Sequence, residues 1–82
     1  MKGMRKQYDT IILNGSSDIV RNITEAINIV TKERFGKATS RPLDNSNATV
    51  VSINTTAKNF KMVKGMIEQS YQNMCIYYEQ IE

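Results

Sequence analysis

The chain has 82 residues, of which 40% are hydrophobic and 23% charged, and its formal net charge is +3. These values are typical of one small folded domain near the lower size limit for a core that lacks disulfides or metal. The sequence contains no histidine and one cysteine, Cys75, which excludes a disulfide framework and a histidine-based catalytic dyad. We therefore expect no metal, no cofactor and no enzymatic activity.

The N-terminal segment is charged where a signal peptide would need apolar residues, since Lys2, Arg5 and Lys6 lie within it. No apolar run approaches the roughly 18 residues of a membrane span. We therefore expect an intracellular protein, in the cytoplasm or in the nucleus or nucleoid, that does not bind membranes. Residues 1–7 are predicted to be a flexible basic arm, followed by one α+β domain at 8–82.

The first strand, predicted at about 7–14, contains the apolar run Ile11–Leu13. Gly15 breaks this run, and the Ser-Ser-Asp sequence at 16–18 provides suitable helix N-caps. Apolar residues then recur at helical spacing, which predicts a helix over 17–35 with one buried face. They are Ile19, Val20, Ile23, Ala26, Ile27 and Val30.

Residues 36–47 contain the only proline and a cluster of turn-forming residues, which predicts a long loop. The β-branched stretch 48–54 is predicted to be the second strand, after which Thr55 or Thr56 caps a second helix. Gly65 lies within this helix and lowers its intrinsic stability, which we interpret as room for another element to approach closely. The predicted buried face comprises Phe60, Val63, Met66, Ile67, Ser70 and Tyr71.

A third strand is predicted at 74–81. Because successive side chains of a strand alternate between faces, Tyr77 and Tyr78 must point in opposite directions, and we expect one of them to be exposed. The resulting order, β-α-β-α-β, predicts a compact α+β domain with two helices packed on one face of a small mixed sheet. The other face then requires a polar surface, a partner chain or a nucleic acid to account for it.

Positive charge is concentrated in the second part of the chain, where five basic residues and one acidic residue lie between positions 37 and 64. The basic residues are Lys37, Arg41, Lys58, Lys61 and Lys64. Such segregation is what an electrostatic footprint for phosphate requires, although an excess of lysine also serves solubility. The sequence leaves both interpretations open.

The stretch IILNGSSDIVRNITEAINIV resembles the beginning of the Alba-like family of small DNA- and RNA-binding proteins. The stretch VVSINTTAKNFKMVKGMIEQSYQNMCIYYEQI is similar to that family's second strand, second helix and following strand. This resemblance implies that Lys58 and Lys61, at the start of the second helix, face nucleic acid. Ser16 and Ser17 stand where archaeal members carry a basic pair, so Arg21 or the N-terminal arm would have to replace that contact.

Our first hypothesis is a protein that binds DNA or RNA through phosphate contacts, as a homodimer or a heterodimer. The candidate contact residues are Lys58, Lys61, Lys64, Lys37, Arg41, Arg21, Lys6 and Arg5. The alternative is a small interaction or regulatory module that binds a protein partner. A third possibility, an enzyme that holds a phosphate in the Asn14–Ser17 turn, has less support because the turn lacks a Walker lysine and a GxGxxG pattern.

Overall fold

The computed structural model describes residues 5–31, 37–43 and 47–79, which form a four-stranded sheet and two helices. The elements in chain order are β1 (Arg5–Ile12), α1 (Ser17–Thr31), β2 (Thr39–Pro42), β3 (Thr49–Thr56), α2 (Ala57–Ser70) and β4 (Cys75–Glu79). The order along the sheet is β2-β3-β1-β4, and all three pairings are antiparallel. A βαββαβ chain with this strand order has the ferredoxin-like, or split βαβ, arrangement.

Both helices cover one face of the sheet and pack against each other there. Phe60 of α2 stacks on Tyr8 of β1, with ring centroids 4.3 Å apart and an angle of 15° between the ring planes, which joins α2 to the sheet through an aromatic contact. The compact α+β class that the sequence predicts is therefore confirmed. The buried core consists of Tyr8, Ile12, Ile23, Ile27, Val51, Ile53, Phe60, Val63 and Ile67.

The turn between β1 and α1 follows the pattern read from the sequence. Asn14 adopts a left-handed backbone conformation with φ of 55°, which asparagine tolerates better than most residues. The Ser16 hydroxyl accepts a hydrogen bond from the Ile19 amide at 3.3 Å and so caps α1. The predicted start of this helix is confirmed, whereas its predicted end falls among residues 32–36, outside the described residues.

Two predicted irregular segments contain strand residues. Arg5–Gln7, which we assigned to the basic arm, belong to β1 and pair with Asn54–Thr56 of β3. Residues 39–42, which we assigned to the loop at 36–47, form β2. Neither segment shows an apolar pattern, because the N-terminal end of β1 is polar and β2 is an exposed edge strand that pairs on one side only.

The additional strand, β2, also determines the orientation of β3 relative to β1. The crossover through α1 makes β2 parallel to β1, and the return from β2 to β3 reverses the chain, so that β3 runs antiparallel to β1. Without β2, the order β-α-β would have implied parallel neighbours. The edge strand between α1 and β3 thus accounts for the antiparallel pairing.

Gly15, in the turn before α1, and Gly65, within α2, differ in how closely other atoms surround them. A Cβ atom at Gly15 would lie 2.7 Å from Cγ2 of the fully buried Ile12. A Cβ atom at Gly65 would meet nothing within 4 Å, so our interpretation of Gly65 as a site of close approach is wrong. Gly15 is the glycine that close packing requires.

This difference predicts opposite effects of alanine on stability. We expect Gly15→Ala to lower the free energy of unfolding by about 1–3 kcal/mol, since it overpacks the turn. We expect Gly65→Ala to raise it by about 1 kcal/mol, since it only improves helix propensity. Urea denaturation of the two variants measures both changes, and changes of the same sign would contradict the packing described here.

Candidate nucleic-acid interface

Three of the predicted contact residues lie on α2, and we call Lys58, Lys61 and Lys64 the lysine row. The helix begins after Thr56, whose hydroxyl accepts a hydrogen bond from the Asn59 amide at 3.2 Å, which confirms one of the two caps that the sequence predicts. Because Phe60, Val63 and Ile67 anchor the buried face of α2, the lysine row lies on its outer surface, where all three residues are exposed.

The lysine row has no ion-pair partner among the described residues, and the acidic residue that follows it on α2, Glu68, lies one turn after Lys64. The first turn of α2 contains no acidic residue, and none of the three lysines forms an ion pair with a described residue. Lys64 instead places its Nζ atom 5.2 Å from the centroid of the Tyr77 ring, a cation–π contact that leaves its charge intact. The partial positive charge of the helix N-terminus adds to that of the lysines.

The other predicted basic residues lie elsewhere on the fold. Lys6 of β1 donates to Glu79 of β4 at 2.6 Å, and Arg21 of α1 pairs with Asp18 at 3.0 Å. Their charges are compensated by these carboxylates. The structure therefore places three of the eight candidates on α2, whereas the charges of Lys6 and Arg21 are paired with carboxylates.

The remaining candidates, Arg5, Arg41 and Lys37, are found around the sheet face that carries no helix, which we call the open face. Register and side-chain alternation place Arg5 and Arg41 on it, and Lys37 lines a small cavity of about 180 Å³ there. The side chains that share this face are Arg5, Gln7, Asp9, Ile11, Thr39, Arg41, Val50, Ser52, Asn54, Ile76 and Tyr78.

A chain of hydrogen bonds crosses the open face. Arg41 donates from Nη1 to the Ser52 hydroxyl at 3.0 Å, and Ser52 donates to Asp9 Oδ1 at 2.7 Å. Asp9 and Ser52 are each only 7% exposed, so this network satisfies polar groups that would otherwise be costly to bury. The sequence signal available for this network, which was not predicted, is the alternation of polar residues in β1 and β3.

The same face also shows an apolar surface at its β4 edge. Tyr78 is 54% exposed and Ile76 is 41% exposed, whereas Tyr77 points to the helices and packs edge-on against Phe60 at 6.0 Å. The prediction that the adjacent tyrosines face opposite ways, with one exposed, is confirmed. The open face thus combines a polar centre with an exposed apolar edge.

Two of the backbone amides at the start of α1 are engaged within the protein. The Ile19 amide donates to the Ser16 hydroxyl and the Val20 amide donates to the Ser16 carbonyl at 2.9 Å. A cavity of about 410 Å³ lies beside this helix start, and the guanidinium group on its wall, that of Arg21, pairs with Asp18. The amides and the charge are engaged within the protein itself.

Cys75 lies half-buried at the start of β4, and burial raises the pKa of its thiol above the ordinary value. Burial also raises the pKa of the neighbouring Tyr77 hydroxyl well above its usual range. Both groups are therefore protonated at neutral pH, which makes the thiol a poor nucleophile.

Among residues 5–31, 37–43 and 47–79, no cluster of three His, Cys, Asp or Glu side chains is positioned to hold a metal ion. Neither described helix has the length and apolar content that crossing a bilayer demands. No family model, curated protein or solved structure matches this chain. The Alba-like resemblance thus stays a prediction, and the strand β2 between α1 and β3 is an element that it does not imply.

The raised pKa of Cys75 predicts a loss of stability at alkaline pH. In the unfolded chain the thiol ionises near its ordinary pKa of 9.0, while the folded thiol stays protonated to higher pH. The contribution of Cys75 to the free energy of unfolding should therefore be fully present below pH 9.0 and be lost as the pH rises above it. Tyr77 should add a further decrease above its ordinary pKa of 10.0.

Chemical denaturation on both sides of pH 9.0 measures this effect. The control is Cys75→Ala, in which the decrease between pH 9.0 and 10.0 should become smaller. An unmodified protein whose stability did not change across this interval would show that burial does not raise the pKa of the thiol.

Proposed function

We propose that this chain binds DNA or RNA and that the lysine row on α2 contacts the phosphate backbone. The observation that carries this proposal is the presence of three exposed, uncompensated cations along the N-terminal part of one helix. Phosphate groups bind favourably at such a place, because lysine charge and the helix dipole act in the same direction. The Alba-like resemblance, which implies contacts by Lys58 and Lys61, supports the same surface.

The position of the lysines also argues for a ligand. Acidic residues stabilise the first turn of a helix and basic residues destabilise it, by roughly 0.3–1 kcal/mol each. Lys58 lies in this unfavourable first turn of α2, where no acidic residue balances it, and Lys61 follows at the start of the second turn. A bound phosphate would reverse the sign of their interaction with the helix dipole.

The open face is a weaker candidate for phosphate. Its two arginines, Arg5 and Arg41, share it with the Asp9 carboxylate, and a carboxylate repels a phosphate group. Arg41 is also engaged through Ser52 in the network that stabilises Asp9. We therefore assign the main phosphate contacts to the lysine row and expect smaller contributions from the other five candidates.

The proposal predicts a defined salt dependence. If the three lysines of one chain each neutralise one phosphate, the logarithm of the affinity for duplex DNA should fall with the logarithm of salt concentration at a slope of about −2.7. For single strands the slope should be about −2.1. Fluorescence anisotropy with labelled duplex DNA, duplex RNA and single-stranded RNA measures these slopes and identifies the preferred nucleic acid.

Variants of the lysines test which surface causes the salt dependence of binding. We expect Lys58→Ala, Lys61→Ala and Lys64→Ala together to bring the slope close to zero. Arg21→Ala serves as the matched control, since it also removes one exposed cation but one that Asp18 already compensates. A triple variant that binds as the unmodified protein does would refute the lysine row as the contact surface.

Lys58→Glu should separate binding from stability. Placing an acidic residue in the first turn should raise the free energy of unfolding by about 0.3–1 kcal/mol, because it interacts favourably with the helix dipole. The same change should weaken binding, because it replaces an attraction for phosphate with a repulsion. Lys58→Gln is the control, with weaker binding and a smaller change in stability.

A second candidate function is the binding of a protein partner. The observation that favours it is the apolar surface of Ile76 and Tyr78 at the edge of the open face, since exposed apolar side chains next to polar ones are typical of interfaces. The salt series distinguishes the two functions. Absence of binding to all three nucleic acids at low salt would favour the protein partner.

A further inference from the structure

We propose that two copies of this chain pair through the outer edges of their β4 strands, antiparallel and about a two-fold axis at Tyr77. The pairing would join two four-stranded sheets into one continuous sheet. It rests on the backbone and side chains of β4 and does not depend on nucleic-acid binding.

The first observation is that the outer edge of β4 is unpaired. β4 is the terminal strand of the sheet, with β1 on its inner side, and within the described residues no strand lies on its outer side. A strand edge of this kind presents a row of free backbone donors and acceptors that a second strand can satisfy.

The pairing of β4 with β1 determines which residues of β4 direct their backbone N–H and C=O groups to the outer edge. The Leu13 amide donates to the Met74 carbonyl at 2.7 Å, while the Met74 amide donates to the Tyr71 carbonyl, so Leu13 and Met74 are in phase with the hydrogen-bonded pairs of the antiparallel ladder. Such pairs alternate with non-hydrogen-bonded ones along the strands. By the register of β1 with β4, Cys75, Tyr77 and Glu79 therefore direct their N–H and C=O groups outward.

This spacing selects one symmetric register. With the two-fold axis at Tyr77, Tyr77 lies opposite itself, and Cys75 of one copy lies opposite Glu79 of the other. All three outward-facing residues then form hydrogen-bonded pairs, each exchanging two N–H···O bonds. An axis at Cys75 or Glu79 would leave part of the five-residue strand without a partner.

The same register also matches the exposed apolar side chains. Ile76 of one copy lies directly opposite Tyr78 of the other, and the reverse pair forms on the other side of the axis. These are non-hydrogen-bonded pairs, in which the Cα atoms are only about 4.5 Å apart and the side chains are close. An aromatic residue opposite a β-branched one is a favourable cross-strand pair, so the two exposed apolar residues of β4 cover each other.

The opposite edge of the sheet is protected, and that of β4 is not. β2 is four residues long and carries Arg41 and Pro42, which are among the devices that prevent a strand edge from pairing. β4 is longer and contains no proline, and its one charged residue, Glu79, is paired with Lys6 of the inner strand β1. The contrast indicates that β4 is the edge available for pairing.

A two-fold axis perpendicular to the sheet keeps both α2 helices on the same side. Lys64, which lies over Tyr77, would flank the axis in both copies. The two lysine rows would therefore lie one after the other on the same side of the dimer. This consequence rests on the proposed function, whereas the pairing itself is tested without nucleic acid.

Sedimentation equilibrium of the full chain from micromolar to millimolar concentration tests the pairing. We expect a monomer–dimer equilibrium for the unmodified protein and, for Ile76→Lys/Tyr78→Lys, dissociation that is stronger by about thirtyfold or more, because like charges replace two cross-strand pairs. The matched variant Ile76→Glu/Tyr78→Lys places opposite charges across the axis and should restore the dimer. Both residues are exposed, and circular dichroism verifies that each variant stays folded.

A disulfide experiment tests the register. In a Cys75→Ala background, oxidation of Ile76→Cys/Tyr78→Cys should give a covalent dimer, because opposite Cα atoms about 4.5 Å apart are within disulfide range. Each single cysteine variant should remain uncrosslinked, since its counterpart is displaced along the strand. An unmodified protein that is monomeric at every concentration, or charge variants that dimerise equally well, would overturn the proposal.

Discussion

The pairing of β1 along both of its edges is the constraint on which the rest of this structure depends. β1 pairs with β3 over its full eight residues and with β4 over five, so the backbone of residues 8–12 is paired on both sides. Alternation then sends Tyr8 and Ile12 toward the helices and Asp9 toward the open face. The close contact of Ile12 with Gly15 places the turn that begins α1.

From this arrangement follow two surfaces of different chemistry on opposite sides of the sheet. The helix side carries the uncompensated lysine row of α2, and the open face carries a carboxylate, Asp9, within a hydrogen-bonded network and an apolar edge at β4. The lysine row attracts phosphate. On the open face the carboxylate of Asp9 opposes the attraction of phosphate to Arg5 and Arg41. A division of roles is therefore consistent with the geometry, with α2 facing nucleic acid and β4 facing a second copy.

Much of the fold could be predicted from the sequence, because its signals are strong and local. The helical spacing of Ile23 and Ile27, the serine cap before α1 and the threonine cap before α2 each specify their element without knowledge of the rest. β2 was missed because an exposed edge strand that pairs on one side carries no alternation of apolar residues. The arm boundary was misplaced for a related reason, since Arg5–Gln7 are held by backbone pairing to β3 rather than by an apolar pattern.

The candidate site was less accessible to sequence reasoning. Helical periodicity alone places Lys58, Lys61 and Lys64 outside the buried face, but it does not show that Lys6 and Arg21 are compensated by Glu79 and Asp18. The Lys6 pair joins residues far apart in the chain and exists only because β1 and β4 are neighbours. The open-face network has the same origin, since Asp9, Ser52 and Arg41 meet only across three paired strands.

The central claim, that nucleic acid contacts the lysine row, is tested most directly by titrating the isotopically labelled protein with the nucleic acid it binds best and recording amide chemical shifts. Our account predicts that the largest changes occur in the first turns of α2, around Lys58 and Lys61, and decrease with added salt. Changes confined to the open face, around Arg41 and Tyr78, would contradict it and would assign binding to the other side of the sheet.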